Sequence, residues 1–208
     1  MPLSTAMPPP VSDQLLHQDF AKAYSQINNP RFLNMEGIGG EVPFYLFTYD
    51  PTQETAVAAE IDALGRKLYE AGHTARHVNI FTLCYELLRE KIDLDDLYEL
   101  EEDDDREVFL ETLQSLLDLE TVLVPAIVNK INDPDQAKAD VLFLSGVGQV
   151  FPFLRAHSLL NNLQARVTQI PTVMFFPGVY TGTSMELFGR LKNDNYYRAF
   201  HLNNLNLA

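Results

Sequence analysis

The chain has 208 residues, enough for one α/β domain with an extension or for two small units, and enough to bury about 70% of its unfolded surface without a covalent staple. Its 46% hydrophobic and 21% charged residues are those of a folded chain rather than a disordered one. A formal charge of −14, from 29 acidic and 15 basic residues, argues against a generic basic groove for nucleic acid and against docking on an anionic membrane. The single cysteine, Cys84, excludes a disulfide framework, a four-cysteine zinc site and a CxxC redox pair.

In chain order, Met1 to Pro10 has neither a basic region nor an apolar core, so no secretory signal is expected. Pro8-Pro9-Pro10 reads as a stiff extended lead-in. Ser12 suits an N-cap, and Leu15, Leu16, Phe20, Ala23, Tyr24 and Ile27 recur at helical spacing until Asn28-Asn29-Pro30. A loop with Gly37, Gly39 and Gly40 follows. Residues 1–40 are therefore read as an N-terminal helical extension with a glycine-rich loop, and 41–208 as an α/β domain.

Within that domain Val42 to Tyr49 reads as a buried strand. Asp50-Pro51 turns the chain into a helix, Thr52 to Ala71, with Val57, Ile61, Leu64 and Leu68 on one face and Gly72 as its stop. Val78 to Cys84 reads as a second strand, which makes Cys84 a buried small hydrophobe. An acidic helical insertion at about 86–131 is expected next, with helices at Glu86–Lys91 and Arg106–Lys130, the second kinked or ended near Pro125. Val141–Leu144 reads as a third strand and Pro152–Gln164 as a helix. Thr172–Phe176 reads as a fourth strand, Ser184–Leu191 as a short helix capped by Ser184, and Tyr196–Leu202 as a fifth strand. Strands alternating with helices imply a three-layer α/β/α fold around a mostly parallel sheet of about five strands. The longest apolar run, Val122 to Val128, falls well short of the ~20 residues of a membrane span. A cytoplasmic protein is expected.

The charge is concentrated. Residues 86–120 contain 15 acidic and 3 basic residues, a net of −12, and the rest of the chain is close to neutral. The run Glu99, Glu101, Glu102, Asp103, Asp104, Asp105 reads as a solvated connection leading into a helix N-terminus, where carboxylates face the positive end of the dipole.

The element order is that of a P-loop NTPase core, but its chemistry is missing. A phosphate cradle after the first strand requires GxxxxGK[ST], because backbone N–H groups and a lysine must meet the phosphates. Here the position reads Thr48-Tyr49-Asp50-Pro51-Thr52. The third strand ends in Ser145 rather than a magnesium-binding acid. A degenerate core, without enzymatic activity and without a cofactor, is the expectation. Gly146-Val147-Gly148 lacks the third glycine of a dinucleotide fingerprint and reads as a tight turn. Ser145 lacks the flanking glycines of a nucleophile elbow. His73 and His77 are four apart, but Gly72 breaks the helix before them, and no metal site is assigned. Arg155, His157 and Asn161 would gather near a strand end, either as a ligand site or as ties for the loop. Tyr180 begins a hydroxyl-rich turn.

Four blocks together resemble the BrxB family of BREX bacteriophage-exclusion systems. They are Phe32-Leu33-Asn34-Met35 through Gly39-Gly40-Glu41-Val42-Pro43-Phe44 to Asp50-Pro51; Ser145 through Arg155 with Ala156-His157 and Asn161-Asn162-Leu163; Phe176-Pro177-Gly178-Val179-Tyr180 through Leu187-Phe188-Gly189; and Asn195-Tyr196-Tyr197-Arg198-Ala199-Phe200. The resemblance covers about residues 30–202 and implies a small component of a phage-defence system. It supplies no catalytic residues. It implies an adaptor docking on other subunits: the PglZ alkaline-phosphatase-like protein first, with the BrxC-type ATPase and the PglX-type methyltransferase as further candidates, and no direct contact with nucleic acid or membrane. The alternatives are a nucleotide-binding regulator, in which Gly146, Gly148 and Arg155 meet phosphates, and an acidic gate for a DNA-binding partner using residues 86–120. Phe151, Phe153, Tyr180, Tyr196 and Tyr197 are candidate contact anchors, and Glu101, Glu102, Asp103, Asp104 and Asp105 candidate steering charges.

Overall fold

The structure is a computed structural model and describes residues 11–36, 43–103, 105–182, 184–192 and 199–205. The proline lead-in, the glycines at 37, 39 and 40, Val42, Asp104 and the Tyr196-Tyr197 pair lie outside the described residues.

Helix α1 (Val11–Ile27) turns Leu16, Phe20, Ala23 and Ile27 inward at helical spacing. Asn29 caps the short α2 (Pro30–Leu33), accepting from the Arg31 N–H at 2.9 Å. Strand β1 (Phe44–Tyr49) is aromatic-rich and buried along nearly all its length, as a strand covered on both faces must be. A 3-10 turn (Pro51–Gln53) leads into α3 (Glu54–Glu70), which Gly72 closes at φ 90°. Then come β2 (Ala75–Asn79), α4 (Ile80–Lys91), α5 (Leu94–Asp103) and α6 (Arg106–Leu116). A π-helical turn (Leu119–Leu123) leads into α7 (Val124–Ile131), followed by β3 (Val141–Ser145), α8 (Ala156–Gln164) and β4 (Thr172–Tyr180). The short β5 (Met185–Leu187), β6 (Leu191–Lys192) and β7 (Phe200–His201) complete the sheet.

Five strands run parallel in the order β2-β3-β4-β1-β7. Side chains alternate between two cores, as the strand period of two requires. Tyr45, Phe47, Val141, Phe143, Val173 and Phe175 meet α1 and α3 on one face. Phe44, Leu46, Leu142, Leu144, Met174 and Phe176 meet α4 to α8 on the other. The expected three-layer architecture is present, and α1 supplies part of one covering layer.

Several expected elements differ. Residues 80–84 are helical rather than strand: the Asn79 side chain accepts from the Thr82 N–H at 3.0 Å and starts α4, and Ile80, Leu83, Cys84 and Leu88 turn inward at helical spacing. Cys84 is buried, but on a helix. The acidic run is not a bare connection, because Glu99 to Asp103 end α5, which anchors through the buried Leu97. The expected Arg106–Lys130 helix is broken after Leu116. Asp118 starts a new turn by accepting from the Thr121 N–H at 2.9 Å, and Pro125 sits in the first turn of α7, where its missing N–H costs nothing. The helix expected from Pro152 begins at Ala156. The expected Ser184–Leu191 helix is instead β5 and β6, which pair antiparallel with each other, β5 lying along the last residues of β4. Strand β4 runs on to Tyr180 because its extra residues gain those ladder partners. The last parallel strand is described only at Phe200–His201, before a 3-10 turn at Leu202–Asn204.

Candidate functional site

In open parallel sheets ligands bind beyond the strand C-termini, where neighbouring connections leave toward opposite faces. Here β1 leads to α3 on one face, while β3 and β2 lead to helices on the other. That point lies at the end of β1, beside β4. It is filled by the chain's own groups. The Asp50 carboxylate accepts from the Thr52 N–H at 2.8 Å and from the Thr52 hydroxyl at 2.6 Å. These bonds hold Asp50 below the usual carboxylate range. The Tyr49 hydroxyl donates to Glu54 at 2.6 Å, and burial with that bond pushes the phenol far upward. The exposed end of β1 thus carries a negative charge.

The next strand end holds an arrangement that spacing alone did not reveal. The Ser145 hydroxyl and His77 Nε2 are 2.8 Å apart, and His77 Nδ1 is 4.0 Å from the Asp62 carboxylate. The order matches a nucleophile, base and orienting acid, but the setting does not. Ser145 is 6% exposed and lines none of the described cavities, and Asp62 is solvent-facing and beyond hydrogen-bond length. The Ser145–His77 bond ties β3 to the edge strand β2. Burial pushes the His77 imidazole below its usual value of 6.5, against a weaker upward pull from Asp62. A histidine that resists protonation in the fold contributes stability above its unfolded pKa and loses it as pH falls below that value. Stability is therefore expected to decline below about pH 6.5, and His77→Gln to flatten that decline, read from denaturant midpoints between pH 7 and pH 5.

Gly146 and Gly148 both sit where an added Cβ would meet a neighbouring side chain. Gly146 has φ 72°, and a Cβ there would lie 2.5 Å from the Asn79 side chain that caps α4. Gly148 has no positive φ, but its Cβ would lie 2.7 Å from Pro177. Neither glycine lines the first or the second of the cavities described below with Arg155.

The segment 151–155 separates three cavities. The first, about 270 Å³, is lined by Arg155, His157 and Arg190 with an apolar wall that includes Phe176, Met185 and Leu187. The second, about 280 Å³, lies between Phe153 and Leu154 and the turn at Asp118. The third, about 530 Å³, is lined by Phe151, Pro152 and Phe153 on one side and Glu101, Arg106, Phe109 and Leu113 on the other. His157 is buried, with Nε2 3.1 Å from the Ser158 hydroxyl, and burial followed by the Arg155 charge lowers its pKa. Asn161 is exposed and lines none of these cavities, so the expected trio reduces to Arg155 and His157. Arg190 was missed, because its approach depends on the β5–β6 hairpin. The Tyr180 hydroxyl is engaged by the Gly182 and Ala199 carbonyls, each at 2.8 Å, and accepts the Ala199 N–H at 3.0 Å. Tyr180 is thus a buried tie rather than an exposed anchor.

Glu101, Glu102 and Asp105 are exposed, and Asp105 caps α6 by accepting from the Glu107 N–H at 3.0 Å. Exposed Tyr98 lies on the same acidic helix. Among the described residues no helix is long and apolar enough to cross a membrane.

The fold and site define a three-layer α/β protein with a mostly parallel sheet and the Asp50 carboxylate just beyond the end of β1. A family model described as "BREX protein BrxB" matches residues 76–202. The BREX protein BrxB of Bacillus cereus (strain H3081.97) is 38% identical over 178 residues, 85% of this chain and 92% of that protein. The BREX protein BrxB of Escherichia coli O9:H4 (strain HS) is 32% identical over 195 residues, 91% and 92% of the two chains. No solved structure matches. The chain belongs to the BrxB family of BREX phage-defence proteins.

Proposed function

We propose that the chain is a non-catalytic adaptor of a BREX system that docks on other subunits, the PglZ-type protein first, and that its sheet is a P-loop-like core emptied of its chemistry. The observation that carries this reading is the end of β1. Asp50 caps the Thr52 N–H, Pro51 removes a donor, and no lysine or glycine follows. The second support is the exposed acidic surface of α5 and α6, within a stretch of net charge −12. Dense like charge steers encounter more than it holds a complex, and the apolar groove between α6 and Phe151–Phe153 offers contact area beside it.

The test is surface-binding kinetics against the PglZ-type subunit without nucleotide. Wild type is compared with a variant in which Glu101, Glu102, Asp103, Asp104 and Asp105 become Gln or Asn, at low and high salt. Association is expected to slow in the variant, with the difference shrinking at high salt as screening removes the steering. No complex at micromolar protein would defeat the adaptor reading. A changed dissociation rate alone would defeat the steering role. Magnesium-dependent ATP turnover by the isolated chain, abolished at Asp50, would overturn the non-catalytic assignment.

A further inference from the structure

The first cavity has a composition unlike the rest of this acidic molecule. Its charged lining is two arginines, Arg155 and Arg190. Both are exposed, and the side chain of neither makes an ion pair or hydrogen bond among the described residues. In a chain of net charge −14, unclaimed guanidiniums sharing one cavity stand out against the abundance of available carboxylates. They approach from separate elements, Arg155 at the start of α8 and Arg190 from the turn between β5 and β6. Arg155 occupies the N-cap position of α8, and its side chain makes no capping bond there, so the positive end of this helix adds to the same field. The opposite wall is apolar, from Phe151, Phe176, Met185, Leu187 and Leu191. At about 270 Å³ the space is at the small end of ligand pockets, which span roughly 300–1,000 Å³.

We infer that this cavity binds a small phosphomonoester, with the phosphoryl group between Arg155 and Arg190 and an apolar or aromatic body against Phe176, Met185 and Leu187. A dianion with three terminal oxygens matches two five-donor guanidiniums better than a carboxylate with two. The volume suits one ring and one anionic group. Apart from Phe151, its lining is distinct from that of the groove beside the acidic surface, and the site stands whether or not the adaptor reading does.

The experiment is calorimetric titration of the full chain with phenyl phosphate, inorganic phosphate, phenylacetate and benzyl alcohol. Wild type is compared with Arg155→Gln, Arg190→Gln and the double variant. Phenyl phosphate is expected to bind saturably and at least tenfold more tightly than each of the other three. Each single substitution is expected to weaken it about tenfold, the scale of one charge-assisted hydrogen-bonding group. Both arginines are exposed and unpaired, so the ligand-free melting temperature should not move. Leu191→Gln, at an exposed wall position, should weaken phenyl phosphate and leave inorganic phosphate unchanged. No saturable binding of phenyl phosphate at millimolar concentration would overturn the inference, as would unchanged affinity in the double variant. Phenylacetate binding as tightly as phenyl phosphate would overturn the phosphomonoester assignment.

Discussion

Phe175→Ala is expected to lower stability by about 3–5 kcal/mol, the usual cost of deleting a buried phenyl ring. Phe175 is fully buried in β4, between β3 and β1. Its ring lies 5.4 Å from Phe143 edge-on, 5.5 Å from Phe47 and 5.8 Å from Phe20 in a stack. Phe20 belongs to α1, so this one side chain joins three strands to the N-terminal helix. Two of the neighbours, Phe47 and Phe143, are rings held by the sheet, so they collapse poorly into the space left. Against a total of about 5–15 kcal/mol for a domain, the loss is large enough to populate unfolded chain. The check is the urea midpoint at constant slope. A loss under ~1 kcal/mol would show that the layer formed by α1 and α3 is not a closed core.

Gly178→Ala is expected to be nearly as costly, for a different reason. Its φ of 156° is one that L side chains rarely adopt, and an added Cβ would run into the Glu186 carbonyl oxygen and lie 3.0 Å from the Phe188 nitrogen. Both are backbone atoms of the antiparallel partner segment, where Gly178 faces Leu187. Backbone cannot swing aside as a flexible side chain does, so the ladder between β4 and β5 must open. Overpacking costs about 1–3 kcal/mol, and an unyielding neighbour places this case at the upper end. Because Met185 and Leu187 also wall the arginine-lined cavity, the substitution should weaken phenyl phosphate binding together with stability. Gly65→Ala is the matched control. It lies within α3 with nothing within 4 Å of the added Cβ, and should stabilise by roughly 0.5–1 kcal/mol through helix propensity. Equal midpoints for the two variants would refute the close-approach account.

The sequence by itself determined those features that rest on local periodicity and on missing residue types. The helical spacing of Leu16, Phe20, Ala23 and Ile27, and of Val57, Ile61, Leu64 and Leu68, located α1 and α3, because one helical face must carry all of that burial. Apolar runs bounded by turns located β1 and β3, because central parallel strands are covered on both sides. The lack of glycine and lysine after β1 was legible because a phosphate loop needs those residues in fixed order. The four blocks between residues 32 and 200 together carried the resemblance to the family. Tertiary structure decided the rest. Residues 78–84 are apolar enough for either element, and the Asn79 cap together with packing against the sheet made 80–84 helical. Residues 185–192 became strands because β4 runs past β1 and offers them an open edge. The same hairpin carries Arg190 toward Arg155, thirty-five positions earlier, and turns two ordinary surface arginines into one cavity lining. Ser145, His77 and Asp62 likewise meet only because β2 and β3 are neighbours with α3 above them. Each of these meetings depends on strand pairing between distant segments. The pairing energy lies in contacts across the sheet, so no local stretch of sequence records it.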